Sequence, residues 1–164
     1  MTRKPYSVRI FLQDGDADGV RIVSRSKWSG RGLVIPRASL ADEQDRVELK
    51  APGVYLLTET GVGADRPTLY IGAADPVCDG LAQHATDDHF WSMAVIFTCK
   101  ENSLDSAQFQ SIAASLLQLA LTADKAEISS KGGGTPVPLN AAAENFLDHM
   151  LGLYPLFGVK AFGS

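Results

Sequence analysis

The strongest periodic signal in the chain lies between Ser106 and Leu121. Phe109, Ile112, Ala113, Leu116, Leu117 and Ala120 recur at helical spacing, so they form one apolar stripe along an amphipathic helix. A helix of that kind must bury its stripe against another layer. The layer on offer is extended. Gly53 to Thr58, Thr68 to Gly72 and Met93 to Cys99 are short apolar runs of strand length, and the first two read as a hairpin closed by the loop Thr60 to Pro67.

The remaining elements follow from local signals. Tyr6 to Leu12 alternates, with Val8, Ile10 and Leu12 on one face, and Val20 to Ser24 also favours extension. The stretch Asp14-Gly15-Asp16-Ala17-Asp18-Gly19 between them reads as the turn of an N-terminal hairpin. Ser39 to Val47 is a short polar helix candidate. Asp75-Pro76 has the form of an N-cap followed by proline in the first turn, opening a helix to about Ala85. Lys131 to Pro138 is a Gly/Pro loop, and Asn140 caps a helix to about Leu153 whose inner face is Ala143, Phe146, Leu147, Met150 and Leu151. Phe157 to Phe162 reads as a final extended segment.

The expected fold is therefore α/β of the α+β kind: a small antiparallel sheet flanked by helices, with an added N-terminal β-hairpin. One domain over 1–164 is expected, with an extension at 1–50, a core at 51–131 and a C-terminal helix and tail at 132–164. With 45% hydrophobic and 21% charged residues, the chain can bury a sizeable core. No apolar run approaches the roughly 18–20 residues of a membrane-spanning helix, and the N-terminal residues lack the apolar stretch of a signal peptide. Two cysteines, Cys78 and Cys99, make no disulfide framework. A cytoplasmic protein with no membrane partner is expected.

Charge is uneven. Residues 1–50 carry ten Lys/Arg and seven Asp/Glu, whereas residues 51–164 carry five and twelve. Arg21, Arg25, Lys27, Arg31 and Arg37 fall in a stretch (20–37) with no acid and with Trp28 inside it. Arg21, Arg25, Lys27, Trp28 and Arg31 are the candidates for gripping DNA or RNA through phosphate contacts and base stacking. The competing reading is a strand with one wet face.

Three other patterns carry little chemistry. Asp14, Asp16, Asp18 and Gly19 match the first half of a calcium loop, but its twelfth position is Arg25 where a bidentate glutamate is required, and its flanks are strands. Lys131 precedes Gly132-Gly133-Gly134, the reverse of a phosphate-loop order. His84, Asp87, Asp88 and His89 cluster without zinc-ligand spacing.

Gly53-Val54-Tyr55 and Leu69-Tyr70-Ile71-Gly72, on the two strands of the expected hairpin, resemble the two signatures of the GIY-YIG nuclease family. Their order, the helix carrying His84, the strand Met93 to Cys99 and the long helix after it extend the resemblance over about Pro52 to Ser130. The flanks look like those of a bacterial subfamily with extra N- and C-terminal segments. The resemblance implies metal-dependent phosphodiester hydrolysis with Tyr55, Tyr70 and His84 as retained motif positions. It also implies an arginine at the place of Gly80, a metal-binding glutamate at the place of Ala113 and an asparagine at the place of Ser130. None of the three residues present can do that work: Ala113 offers magnesium no oxygen ligand, and Gly80 has no side chain.

The expectation is a nuclease-like binding or interaction module without nuclease activity, a pseudoenzyme, with no metal site and no cofactor, and nucleic acid as one candidate ligand. The alternative is an active DNA endonuclease using Mg or Mn with a displaced ligand set. The proposed register further implies that Gly80 and Ala113 face one another across a cleft containing the Tyr55 and Tyr70 hydroxyls.

Overall fold

A computed structural model describes residues 4–59, 66–87, 90–100, 104–130, 138–159 and 161–162. The strands are β1 (Val8–Leu12), β2 (Arg21–Arg25), β3 (Gly30–Pro36), β4 (Gly53–Thr58), β5 (Thr68–Ala74), β6 (Met93–Cys99) and β7 (Glu127–Ile128). The helices are α1 (Leu40–Glu43), α2 (Val77–Asp87), α3 (Ser106–Ala123) and α4 (Ala141–Leu153). The strands form one seven-stranded sheet in the order β1-β2-β3-β6-β4-β5-β7. All pairings are antiparallel except β5 with β7.

This is the expected mixed fold, but the sheet is larger than the expected one. The N-terminal segment supplies three strands rather than a hairpin, and β3 pairs along its whole length with β6 of the core. The stretch around Arg31 is therefore a strand facing the centre of the sheet, because Leu33-Val34-Ile35 is an apolar run buried on both sides.

Helices cover both faces. Every residue of β4 and β6 is buried, as expected of central strands covered on two sides. One layer packs Val34, Val54, Leu56, Ile71, Val95 and Phe97 of the sheet against Phe109, Ile112 and Leu116 of α3 and Phe146 and Met150 of α4. The other packs Leu33, Ile35, Tyr55, Leu57 and Ile96 against Leu40, Leu49, Val77, Leu81 and Trp91. Each fully buried Leu, Ile or Phe contributes roughly 1.5–3 kcal/mol, so the alternation along β4 (Val54 and Leu56 one way, Tyr55 and Leu57 the other) locks the register.

The long helices end as their sequences dictate. The Asp105 carboxylate accepts from the Gln108 amide at 2.9 Å, and the Asn140 side chain accepts from the Ala143 amide at 2.7 Å. Helix α2 begins at Val77, whose N–H bonds the Ala51 carbonyl at 2.9 Å, so Asp75 and Pro76 precede the helix.

On β1, Val8 packs against the core, whereas Ile10 and Leu12 on the same face are exposed, and so is Phe11 on the opposite side. One expectation gives way. The C-terminal segment is no strand. Tyr154–Phe157 forms a 3-10 turn closed by Gly158 at φ 83°, and Phe157, Val159 and Ala161 seat in the core. The Lys131 and Gly132–Gly134 motif lies outside the described residues, as do Asp88 and His89. The Asp14 to Asp18 segment is the expected polar turn, in which the Asp16 carboxylate accepts from the Asp18 amide at 2.9 Å.

Candidate functional site

Tyr55 on β4 and Tyr70 on β5 point to the same face because Tyr55 pairs with Gly72 and Leu57 with Tyr70 across the ladder. Their rings stack with centroids 6.1 Å apart and 9° between planes. Helix α2 then lays His84 across both. Its ring centroid is 4.1 Å from that of Tyr70 and 5.6 Å from that of Tyr55. Its Nε2 is 3.0 Å from the Tyr55 hydroxyl. The motif positions Tyr55, Tyr70 and His84 therefore form one aromatic cluster, with Tyr55 only 4% exposed.

Close approach explains the glycines here. A Cβ at Gly72 would lie 2.8 Å from the Tyr55 hydroxyl oxygen, and a Cβ at Gly80 would lie 3.0 Å from Tyr55 Cε1 and from the Ala74 Cβ. Helix α2 sits on the Tyr55 ring at the point where the resemblance wants an arginine stem.

His84 is held from behind. Arg37 donates to the Ala85 carbonyl at 2.8 Å and the Trp91 carbonyl at 3.2 Å, and its guanidinium lies 4.5 Å over the Trp91 ring. The Trp91 indole N–H in turn donates to the His84 carbonyl at 3.4 Å. In the sequence Arg37 is one more cation of the basic stretch. No local pattern links it to residues about fifty positions away, so its role as an anchor of α2 is not readable before the fold.

Ala113 is elsewhere. It is buried in the layer of α3, with Val54, Leu56 and Ile71, whereas Tyr55 belongs to the layer of α2 on the opposite face of the sheet. The expected opposition of Gly80 and Ala113 across one cleft is therefore wrong. The stripe that identified α3 as a helix is the stripe it buries, and a position inside that stripe points into the core. Nearer the strand edge, the Gln110 side-chain amide donates to the Ala73 carbonyl at 3.2 Å. Helix α3 has no Asp or Glu from Ser106 to Ala123, so no shift of register brings a carboxylate from it.

Ser130 completes the sheet edge. Its hydroxyl donates to the Ile71 carbonyl at 3.0 Å and accepts from the Ile71 amide at 2.5 Å. It thus extends the pairing of β7 with β5 by one side-chain rung.

The basic stretch is divided by the sheet. Arg21 and Arg25 alternate with Val23 and lie toward α4 and the C-terminal turn. The Arg25 guanidinium stacks 3.4 Å from the Tyr6 ring centroid and donates to the His149 carbonyl, and that of Arg21 lies 5.8 Å from the Phe157 ring centroid. Arg31 takes the other face, opposite Thr98, and donates to its hydroxyl at 3.2 Å. Trp28 is 7% exposed and packs against Phe97, Phe146 and His149. The ring expected to stack on bases is a core ring. Lys27 is exposed at the turn, with φ 59°.

A second polar cluster ties the N-terminal turn to α1. Arg46 donates to Glu43 at 2.8 Å, to Glu48 at 2.7 Å and to the Gln13 side-chain oxygen, while the Gln13 amide donates to Glu43 at 2.8 Å. The bond from Arg46 holds the Glu43 carboxyl below its ordinary value. Burial alone would lower Arg46, but its bonds to Glu43 and Glu48 outweigh that and leave it raised.

Among the described residues, no helix is long and apolar enough to cross a membrane. Comparison of the chain with protein-family models, with curated proteins and with solved structures finds no match.

Proposed function

We propose that this chain is a GIY-YIG-like domain that has lost phosphodiester chemistry and acts as a binding or interaction module. The observation that supports this reading is the makeup of α2, which lies over the Tyr55, Tyr70 and His84 cluster, and of α3, which packs on the opposite face of the sheet. Metal-dependent phosphodiester hydrolysis requires carboxylate oxygens for the metal and a cation for the developing phosphoryl charge. Helix α3 has no carboxylate in any register, and α2 (VCDGLAQHATD) has no Lys or Arg. Tyr55 and His84 instead bond one another, which suits a role in seating α2 on the sheet.

Nucleic acid as the ligand is the weaker form of the proposal. Trp28 is committed to the core, and Arg21, Arg25 and Arg31 reach intramolecular partners on two different faces. Electrostatic binding along a strand would need them on one. A cytoplasmic location belongs to the same proposal, in keeping with a chain that has only two cysteines, Cys78 and Cys99, both of them buried.

Calorimetric titration with Mn²⁺ tests the metal side of the reading. The expected result is no saturable binding below the millimolar range. A single-site isotherm abolished by changing Asp75 or Asp79, the acids nearest α2's start, would restore the nuclease reading with a displaced ligand set.

A further inference from the structure

Strand β1 ends the sheet, and its sequence is the reverse of what an edge usually shows. Edge strands are normally blunted by charge, proline or a bulge. β1 reads Val8-Arg9-Ile10-Phe11-Leu12, pairs without interruption with β2, and leaves Ile10 41%, Phe11 56% and Leu12 37% exposed.

Its backbone polarity follows from the bonds at its two ends. Gln13 N donates to Val20 O at 3.1 Å, and Ser26 N donates to Ser7 O at 2.9 Å. These mark 7–26 and 13–20 as hydrogen-bonded pairs. By the alternation of an antiparallel ladder, Arg9 and Phe11 also bond inward to β2. Val8, Ile10 and Leu12 then direct their N–H and C=O groups outward, off the edge of the sheet.

We propose that this edge is a self-association surface, and that its occupant is β1 of a second copy of this chain, paired antiparallel about a two-fold axis at Ile10. That register sets Ile10 against Ile10 and Val8 against Leu12 of the second copy. All three outward-facing residues then fall in hydrogen-bonded pairs, so the three N–H and three C=O groups of each copy find partners at once. Side chains agree with the backbone. Val8, Ile10 and Leu12 make one continuous apolar row across the junction, and each Arg9 comes opposite Phe11 of the other copy, which replaces like-charge repulsion with a cation over a ring. Charge complementarity extends beyond the strand: counting outward from Ile10, Lys4 of one copy approaches the Asp14 to Asp18 turn of the other. The interface is isologous, as a two-fold requires. It is also small, because one strand pair buries less than the roughly 1,200 Å² of a standard stable interface, so the dimer is a weak one that forms at high concentration.

Sedimentation equilibrium over a concentration series tests it. The wild-type average mass should rise from 17.5 kDa toward twice that value. Ile10→Lys and Ile10→Glu each place like charges face to face on the axis and should weaken association about tenfold or more, while an equimolar mixture of the two should recover it. A variant-free measurement runs alongside: with rising concentration, amide exchange should slow at Val8, Ile10 and Leu12 and stay unchanged at Arg9 and Phe11. A chain that is monomeric at millimolar concentration overturns the proposal. So does a dimer unaffected by either charge at position 10, or protection that does not follow this alternation.

Discussion

The Nε2 of His84 lies 3.0 Å from the Tyr55 hydroxyl, a polar contact between helix α2 and the centre of the sheet. It also makes the two motif side chains partners of one another. Tyr55→Phe removes the hydroxyl's contact with His84 from a buried ring, and should cost about 1 kcal/mol. The midpoint of urea unfolding should fall with unchanged slope. An unaltered midpoint would mean that the bond contributes nothing to holding α2.

Gly80 lies in a helix, where Gly→Ala ordinarily stabilises by up to about 1 kcal/mol. Here the new methyl would meet Tyr55 Cε1 and the Ala74 Cβ at 3.0 Å. The Tyr55 ring has little room to yield, because it is only 4% exposed and lies against the Tyr70 and His84 rings. Gly80→Ala should therefore lower the thermal midpoint instead of raising it. A gain in stability would show that α2 can lift from the ring.

Ser130→Ala deletes both contacts to Ile71 and leaves a strand amide without its partner. A loss of about 1–3 kcal/mol is expected, with the β7 end fraying first in hydrogen exchange. If exchange at Leu69 and Ile71 is unchanged, Ser130 does not hold the edge.

The Glu43 and Arg46 pair sets a pH dependence. Glu43 titrates below 4.5 in the folded chain because Arg46 bonds its charged form. Between that value and 4.5 the unfolded chain binds more protons, so stability falls as pH falls. The contribution is fully present well above pH 4.5 and lost on acidification through the folded value. Unfolding midpoints measured from pH 7 to pH 3 should drop less steeply for Glu43→Gln than for wild type. Parallel curves would remove Glu43 from the acid limb.

Much of this was legible in advance. The stripe from Phe109 to Ala120 located α3, Asn140 located the start of α4, and the apolar runs located β4, β5 and β6, because in each case the local pattern and the burial agree. Strand β3 carries Gly30, Gly32 and Pro36, residue types depleted in strands, so its local pattern is weak. Gly30 is there because the Trp28 ring lies over it, where a Cβ would approach within 2.2 Å. That contact, like the anchoring of α2 by Arg37, is tertiary and has no local signature. The Tyr55, Tyr70 and His84 cluster was legible because strand pairing and one helical turn suffice to build it. The placement of Ala113 failed for a related reason: membership of a buried stripe says that a residue faces the sheet, not which features of the sheet it meets.

The central claim is that the cluster retains its geometry without phosphodiester chemistry. The most direct measurement is incubation of the purified chain with supercoiled plasmid and with branched DNA in Mg²⁺ and in Mn²⁺, run beside Tyr55→Phe. No nicking above buffer is expected from either protein. Metal-dependent cleavage by the wild-type chain that disappears in Tyr55→Phe would contradict the account.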